Sequence, residues 1–206
     1  MDQNLSELLF SIPVDVDYTT ISTDLDLEDI PLERINKIKD LLKSSDIYIV
    51  FQAARILTSW GVDDGFDVLV NLCEKNKLKE FIDHRLYGYD ETYLHVLDAF
   101  ISYWANKSDK GCGEQAREKI FPYVSKIILL SNEQSFPIRA IFVLVEKYHY
   151  DEYIPLLKNH LEMIIKNQSD QYWKIFDLLK FLIKIDPIFV ESTLKKNNKR
   201  LVDYGL

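Results

Sequence analysis

The chain has 206 residues, 47% of them hydrophobic, which is enough for one substantial buried core. Its 33 acids and 25 bases give a net charge of −8 and a pI near 5.1, which argues against a nucleic-acid ligand, because phosphate binding needs a clustered cationic face. No apolar run reaches the roughly 18 residues of a membrane span, and the start lacks the basic and apolar blocks of a secretory signal, so a soluble cytoplasmic protein is expected.

The first element in chain order is a charge asymmetry. From Met1 to Glu33 there are nine acids and no Lys or Arg, whereas Arg34 to Leu206 carries 24 acids and 25 bases. Residues 1–30 are expected to be an acidic N-terminal arm, with Ile12 to Leu27 either lying extended along the rest of the protein or forming a mobile tail. Residues 31–206 are expected to be a single helical-repeat domain. Pro31 to Lys43 predicts a first helix. Ile47 to Trp60 carries Val50, Ala53, Ala54, Leu57 and Trp60 on one helical stripe. Gly61 stops it, and Asp63 is placed to cap a helix running to about Asn76.

The helix–turn–helix unit then recurs. Asp90 to Asn106 presents Leu94, Leu97, Ile101 and Trp104, and a turn with Gly111 and Gly113 leads to a helix ending near Ser131. Pro122 predicts a break or kink in that helix, since proline cannot donate mid-helix. Pro137 to about Lys147 is next. Asp151 is expected to cap a helix with Pro155 in its first turn, running to Asn167. Asp170 to Ile185 follows, and Asp186-Pro187 reads as cap and first-turn proline of a last helix to about Lys196. First helices beginning near residues 47, 90, 136 and 170 are spaced as in two-helix repeats. A lone hairpin cannot bury its apolar face, whereas stacked hairpins share one core. The predicted fold class is all-α: a degenerate HEAT-like solenoid of about four helical hairpins with an acidic N-terminal segment. An orthogonal helical bundle is the alternative.

Two stretches carry a family likeness. Ala53-Ala54-Arg55-Ile56-Leu57 with Trp60-Gly61, Asp63-Asp64-Gly65 and Val68-Leu69, and Tyr153-Ile154-Pro155-Leu156-Leu157, resemble HEAT-type repeats over about residues 45–200. The turn Trp60-Gly61-x-Asp63-x-Gly65, in a small acidic helical protein, is similar to immunity proteins of bacterial polymorphic-toxin and contact-dependent growth inhibition systems. That resemblance implies a protein that neutralises a secreted, nuclease-type toxin domain by occluding its active site.

Catalytic signals are sparse. His84, His95, His149 and His160 make no metal-binding pair, there is no phosphate loop or nucleophile elbow, and Cys73 and Cys112 suggest neither disulfide nor metal. The acidic pairs Asp63-Asp64 and Asp151-Glu152 sit at predicted helix starts, where carboxylates complement the dipole. No enzyme activity, cofactor or metal is therefore expected. The candidate partner-binding residues are Asp24, Asp26, Glu28 and Asp29 of the acidic arm, with Asp83, His84, Arg85, Tyr87, Tyr89, Asp90, Glu91 and Tyr93 of the connection between hairpins. Tyrosines among charges on a loop match interface chemistry. A second tyrosine cluster, Tyr148 to Tyr153, is more readily explained by packing. The expected partner is a basic cognate toxin domain bound by a monomer in a 1:1 complex, with no nucleic acid and no membrane. A non-catalytic scaffold or adaptor fits the same fold.

Overall fold

A computed structural model describes residues 3–206, the side chains of residues 168–170 excepted. The described residues are all-helical, with one isolated bridge between Asp83 and Asp90 in place of any sheet. No described helix is long and apolar enough to cross a membrane. The chain divides into two compact units, Met1–Val124 and Ser125–Leu206. The first holds α1 (Gln3–Phe10), α2 (Leu32–Leu41), α3 (Ile47–Ser59), α4 (Asp63–Glu74), α5 (Thr92–Asp109) and the first part of α6 (Gly113–Leu130). The second holds the end of α6 with α7 (Ala140–Tyr148), α8 (Ile154–Ile164), α9 (Gln168–Ile185) and α10 (Pro187–Lys196). Pro122 lies inside α6, which continues as one helix through it.

The units differ in charge. Residues 1–124 carry 23 acids and 13 bases, a net −10, and residues 125–206 carry ten acids and twelve bases, a net +2.

In the first unit the acidic arm is part of the core. Its apolar residues Leu9, Leu25 and Ile30 are buried with Ile35, Ile38, Ile56 and Trp60. The Arg34 guanidinium donates to the Leu8 and Leu9 carbonyls, 2.9 and 3.1 Å, at the end of α1. The Trp60 indole N–H donates to the Ser22 carbonyl at 2.7 Å. Two short 3-10 turns, Ser22–Asp24 and Leu27–Asp29, stand at the end of the segment predicted as extended or mobile, whose residues 12–21 form no helix. A helix at Gln3–Phe10 was not foreseen, because its four apolar residues are too few to establish a period.

Gly61 closes the α3–α4 turn at φ +73°, a left-handed position that suits glycine. Gly65 lets the two helices meet, since a Cβ there would lie 2.4 Å from Leu57 Cβ and 2.9 Å from the Ala54 carbonyl oxygen. α5 then runs in the same direction as α3. Phe81, just ahead of α5, packs on Tyr48 and Phe51 near the start of α3, and Asn106 near the end of α5 donates to Ser59 O at 2.9 Å.

Asp63 does not cap α4. The N-cap is Val62, and the Asp63 carboxylate accepts from the Tyr103 hydroxyl and from Lys107 at 2.8 Å, with Lys119 at 3.4 Å. Burial opposes its ionisation, but the bonds from Lys107 and Tyr103 outweigh it and hold the carboxyl at about 2. Asp151 likewise opens a 3-10 turn, and Tyr153 stands at the N-cap of α8. Asp186 does cap α10, accepting from Phe189 N at 3.0 Å while Lys158 binds its other oxygen at 2.6 Å.

The second unit packs Phe142 of α7 on Phe181 of α9, with ring centroids 4.4 Å apart. Its apolar core encloses a small polar cluster. The Lys174 ammonium is buried and donates to the carbonyls of Ser131 and Gln134, where α6 ends. The fully buried His160 ring contacts Asn132 Oδ1 through Nδ1 and Ser131 Oγ through Nε2. Burial lowers Lys174 to about 8, and burial with the neighbouring lysine lowers His160 to about 3.

Candidate protein-binding site

The two groups of candidate residues both lie in the acidic unit. In the arm, Asp24, Asp26 and Glu28 are exposed, while the residues between and beyond them, Leu25 and Ile30, point into the core. Asp29 is half-buried and accepts from the Tyr18 hydroxyl at 2.7 Å; that hydroxyl oxygen in turn accepts from Asp26 N at 2.9 Å. The alternation of acid and hydrophobe thus fixes the carboxylates outward.

Asp26 and Glu28 line a surface notch of about 380 Å³ with Asn106, Asp109 and Lys110 at the end of α5. A helix C-terminus is the negative end of the macrodipole. Three carboxylates, one lysine and that dipole give the notch a net attraction for a cationic side chain. Asp109 was not singled out from sequence, since only the fold brings it beside residues some 80 positions earlier.

The other group forms a closed loop. His84 N donates to Tyr89 O at 2.8 Å, Gly88 N to His84 O at 2.9 Å and Glu91 N to Ile82 O at 2.7 Å. His84 Nδ1 accepts from the amides of both Leu86 and Tyr87 at 3.1 Å, so Nδ1 is unprotonated in this geometry. The imidazole packs against Tyr87 and Tyr89, at centroid distances of 4.9 and 4.6 Å, and Nε2 lies 3.9 Å from Glu91 Oε1. Asp90 secures the base, accepting from Glu80 N and Thr92 N at 2.9 Å each. Asp83 and Arg85 are exposed, and Tyr89, Asp90 and Glu91 are half-buried. Burial, then the Glu91 charge, raises the Tyr89 hydroxyl above its ordinary range.

The tip is apolar and aromatic: Leu86 is 78% exposed and Tyr87 76%. Tyr93 is different. It is buried, its hydroxyl is pushed up to about 12 by burial, and it belongs to the core rather than to the surface. Leu86 stands outside the candidate set although it shares this exposed tip; an apolar side chain between Arg85 and Tyr87, outside any helical stripe, was a usable signal.

The arm and the loop stand at opposite ends of α5. Eighteen helical residues span about 27 Å. A standard interface of about 800 Å² per partner is about 30 Å across, so one partner can touch both. In the second tyrosine cluster Tyr150 and Tyr153 are buried, while Tyr148, His149 and Asp151 are exposed.

The residues of the Trp60-Gly61-x-Asp63-x-Gly65 turn all have packing roles: Trp60 holds the arm, Gly61 turns the chain, Gly65 admits α3, and Asp63 ties α4 to α5 and α6. Among the described residues, no group of three His, Cys, Asp or Glu is placed to hold a metal ion. No family model, curated protein or solved structure matches this chain.

Proposed function

We propose that this chain is an immunity-type inhibitor: a non-catalytic, HEAT-like helical protein that binds a basic toxin domain on its acidic unit and occludes that domain's active site. In this reading it is a cytoplasmic monomer forming a 1:1 complex. The observation that carries the proposal is the 84–89 loop, whose internal bonds hold Leu86 and Tyr87 exposed before any partner arrives. A pre-shaped anchor loses little entropy on binding. The outward carboxylates Asp24, Asp26 and Glu28 support a cationic partner, because complementary charge accelerates encounter. The parallel course of α3 and α5, with α4 returning between them, supports the stacked-hairpin description.

The test is co-purification with the product of the adjacent upstream gene, followed by titration of its activity. Stoichiometric loss of toxin activity is expected. Leu86→Ala with Tyr87→Ala should weaken binding at least about tenfold, chiefly through faster dissociation. Asp26→Lys with Glu28→Lys should slow association and flatten its salt dependence. Absence of binding at micromolar concentration would reject the reading. Binding without inhibition would favour the second one, an adaptor.

A further inference from the structure

The imidazole of His84 takes the place that an asparagine or aspartate side chain holds in an Asx turn. Its Nδ1 accepts from the amides two and three residues ahead, Leu86 and Tyr87, at 3.1 Å each. Those are the residues the loop exposes most. Only a ring nitrogen without a proton can accept. An asparagine would supply such an acceptor at every pH, whereas a histidine supplies one that a proton removes.

The two sides of the ring receive a proton differently. Near Nε2, Glu91 Oε1 lies 3.9 Å away, and the Tyr87 and Tyr89 rings pack 4.9 and 4.6 Å from the imidazole centroid. A carboxylate and aromatic faces both favour a cation. At Nδ1, protonation sets a third N–H against two amides that then lack their acceptor. The charge is accommodated while the two bonds are not. Of the other charged groups of the loop, Asp83 and Arg85 are exposed and opposite in sign, and the Asp90 carboxylate is engaged by the amides of Glu80 and Thr92. The His84 side chain is 23% exposed, so protons reach it from solvent. The base of the loop is closed by backbone bonds that do not involve the ring: His84 N to Tyr89 O, Gly88 N to His84 O and Glu91 N to Ile82 O. Losing Nδ1 as an acceptor therefore frees the tip and leaves the base closed.

We propose that His84 is the positioning residue of the binding tip and a proton-operated latch. Neutral, it holds Leu86 and Tyr87 in the binding conformation; protonated, it releases them, so the complex forms near neutral pH and loosens in acid. The partner rests on the immunity-type reading above, whereas the latch rests on the loop's own bonds and is tested without a partner. His95 and His160, held at about 4 and 3, stay neutral while the latch works, and His149 belongs to the other unit.

The test is backbone NMR relaxation of the free full chain at pH ~8 and ~5.5, either side of the range in which histidine ordinarily titrates. The charge state of the His84 ring is read from its own carbon resonances. Order parameters of Leu86 and Tyr87 should fall from about 0.85 to below about 0.6, while those of Tyr89 and Glu91 at the base hold. In His84→Asn, whose amide oxygen accepts the same two bonds without titrating, they should stay high at both pH values. His84→Ala should leave the tip loose at both. Affinity for the basic toxin domain should drop at least about tenfold at the lower pH in the unsubstituted chain, and not in His84→Asn. The unsubstituted chain decides the matter even where a variant fails to fold. A ring that stays neutral at the lower pH, or a tip equally ordered or equally loose at both, would overturn the proposal. So would a pH response that persists in His84→Asn, or an affinity that holds when the tip loosens. A latch that operates in the free chain while no toxin domain binds at either pH would support the latch and reject the immunity-type reading.

Discussion

Two lysine-centred junctions, one in each unit, differ in what surrounds the ammonium. In the acidic unit, Lys107 and Lys119 meet the Asp63 carboxylate, and Lys119 also lies 4.3 Å from the Phe66 ring centroid. In the basic unit, Lys174 is buried among neutral acceptors, the carbonyls of Ser131 and Gln134, beside a buried imidazole. Paired charges at a rim and an ammonium among carbonyls respond differently to protons. The comparison teaches that a lysine can join helices either through a half-exposed carboxylate or through buried carbonyls.

The largest expected effect tests the acidic unit's dependence on its arm. Trp60→Ala removes a fully buried indole and its bond to Ser22 O. It should cost about 3–5 kcal/mol in chemical denaturation and expose residues 3–30 to proteolysis. An arm that stays protease-resistant in this variant would show that Leu9, Leu25 and Ile30 hold it without the tryptophan.

The next effect appears only in acid, and each unit has its own buried histidine to carry it. His160 is held at about 3 when folded, below the ~6.5 of a free imidazole. Its contribution is present above pH ~6.5 and is lost as pH falls toward 3, at about 1.4 kcal/mol per pH unit at most. His95 in the acidic unit, lowered to about 4 by burial and by Arg55, acts in the same direction. Single variants therefore sharpen the comparison. His160→Gln should flatten the acid limb for amides of residues 125–206, read by hydrogen exchange, while leaving that of residues 3–124. An unchanged limb would remove His160 from the account.

The smallest effect is at Asp63. Its carboxyl at about 2 contributes stability above pH ~3.9 that is lost as pH falls through 2. Because its side chain is 58% exposed, solvent screening reduces the benefit, and Asp63→Asn should cost only about 1 kcal/mol in urea titration at pH 7. A larger cost would mean that the rim pair acts as a buried one.

Helix positions were legible because apolar periodicity and punctuation are local. The observed starts at 47, 92, 140 and 168 follow the predicted 47, 90, 136 and 170, and Gly61 and Asp186 act as their residue types require. What sequence did not reveal depended on distant partners. Asp63 fits an N-cap rule, but Tyr103, forty positions away, takes its carboxylate. The arm reads as extended and acidic, yet Trp60 and Arg34 bind its backbone carbonyls over separations of 25 to 38 residues. At the candidate site, residue types marked the surface tyrosines, but periodicity alone could not place Tyr93 inside and Tyr87 outside, because the loop–helix boundary falls between them.

The indole of Trp60 donates to the backbone of the acidic segment and has no exposure to water, whereas Trp173 is 72% exposed. The protein thus carries its own optical gauge. Undocking of the segment would shift emission to the red and open Trp60 to an aqueous quencher, on top of the quenching that Trp173 already undergoes. Seating of the segment can be followed during complex formation without attaching any label.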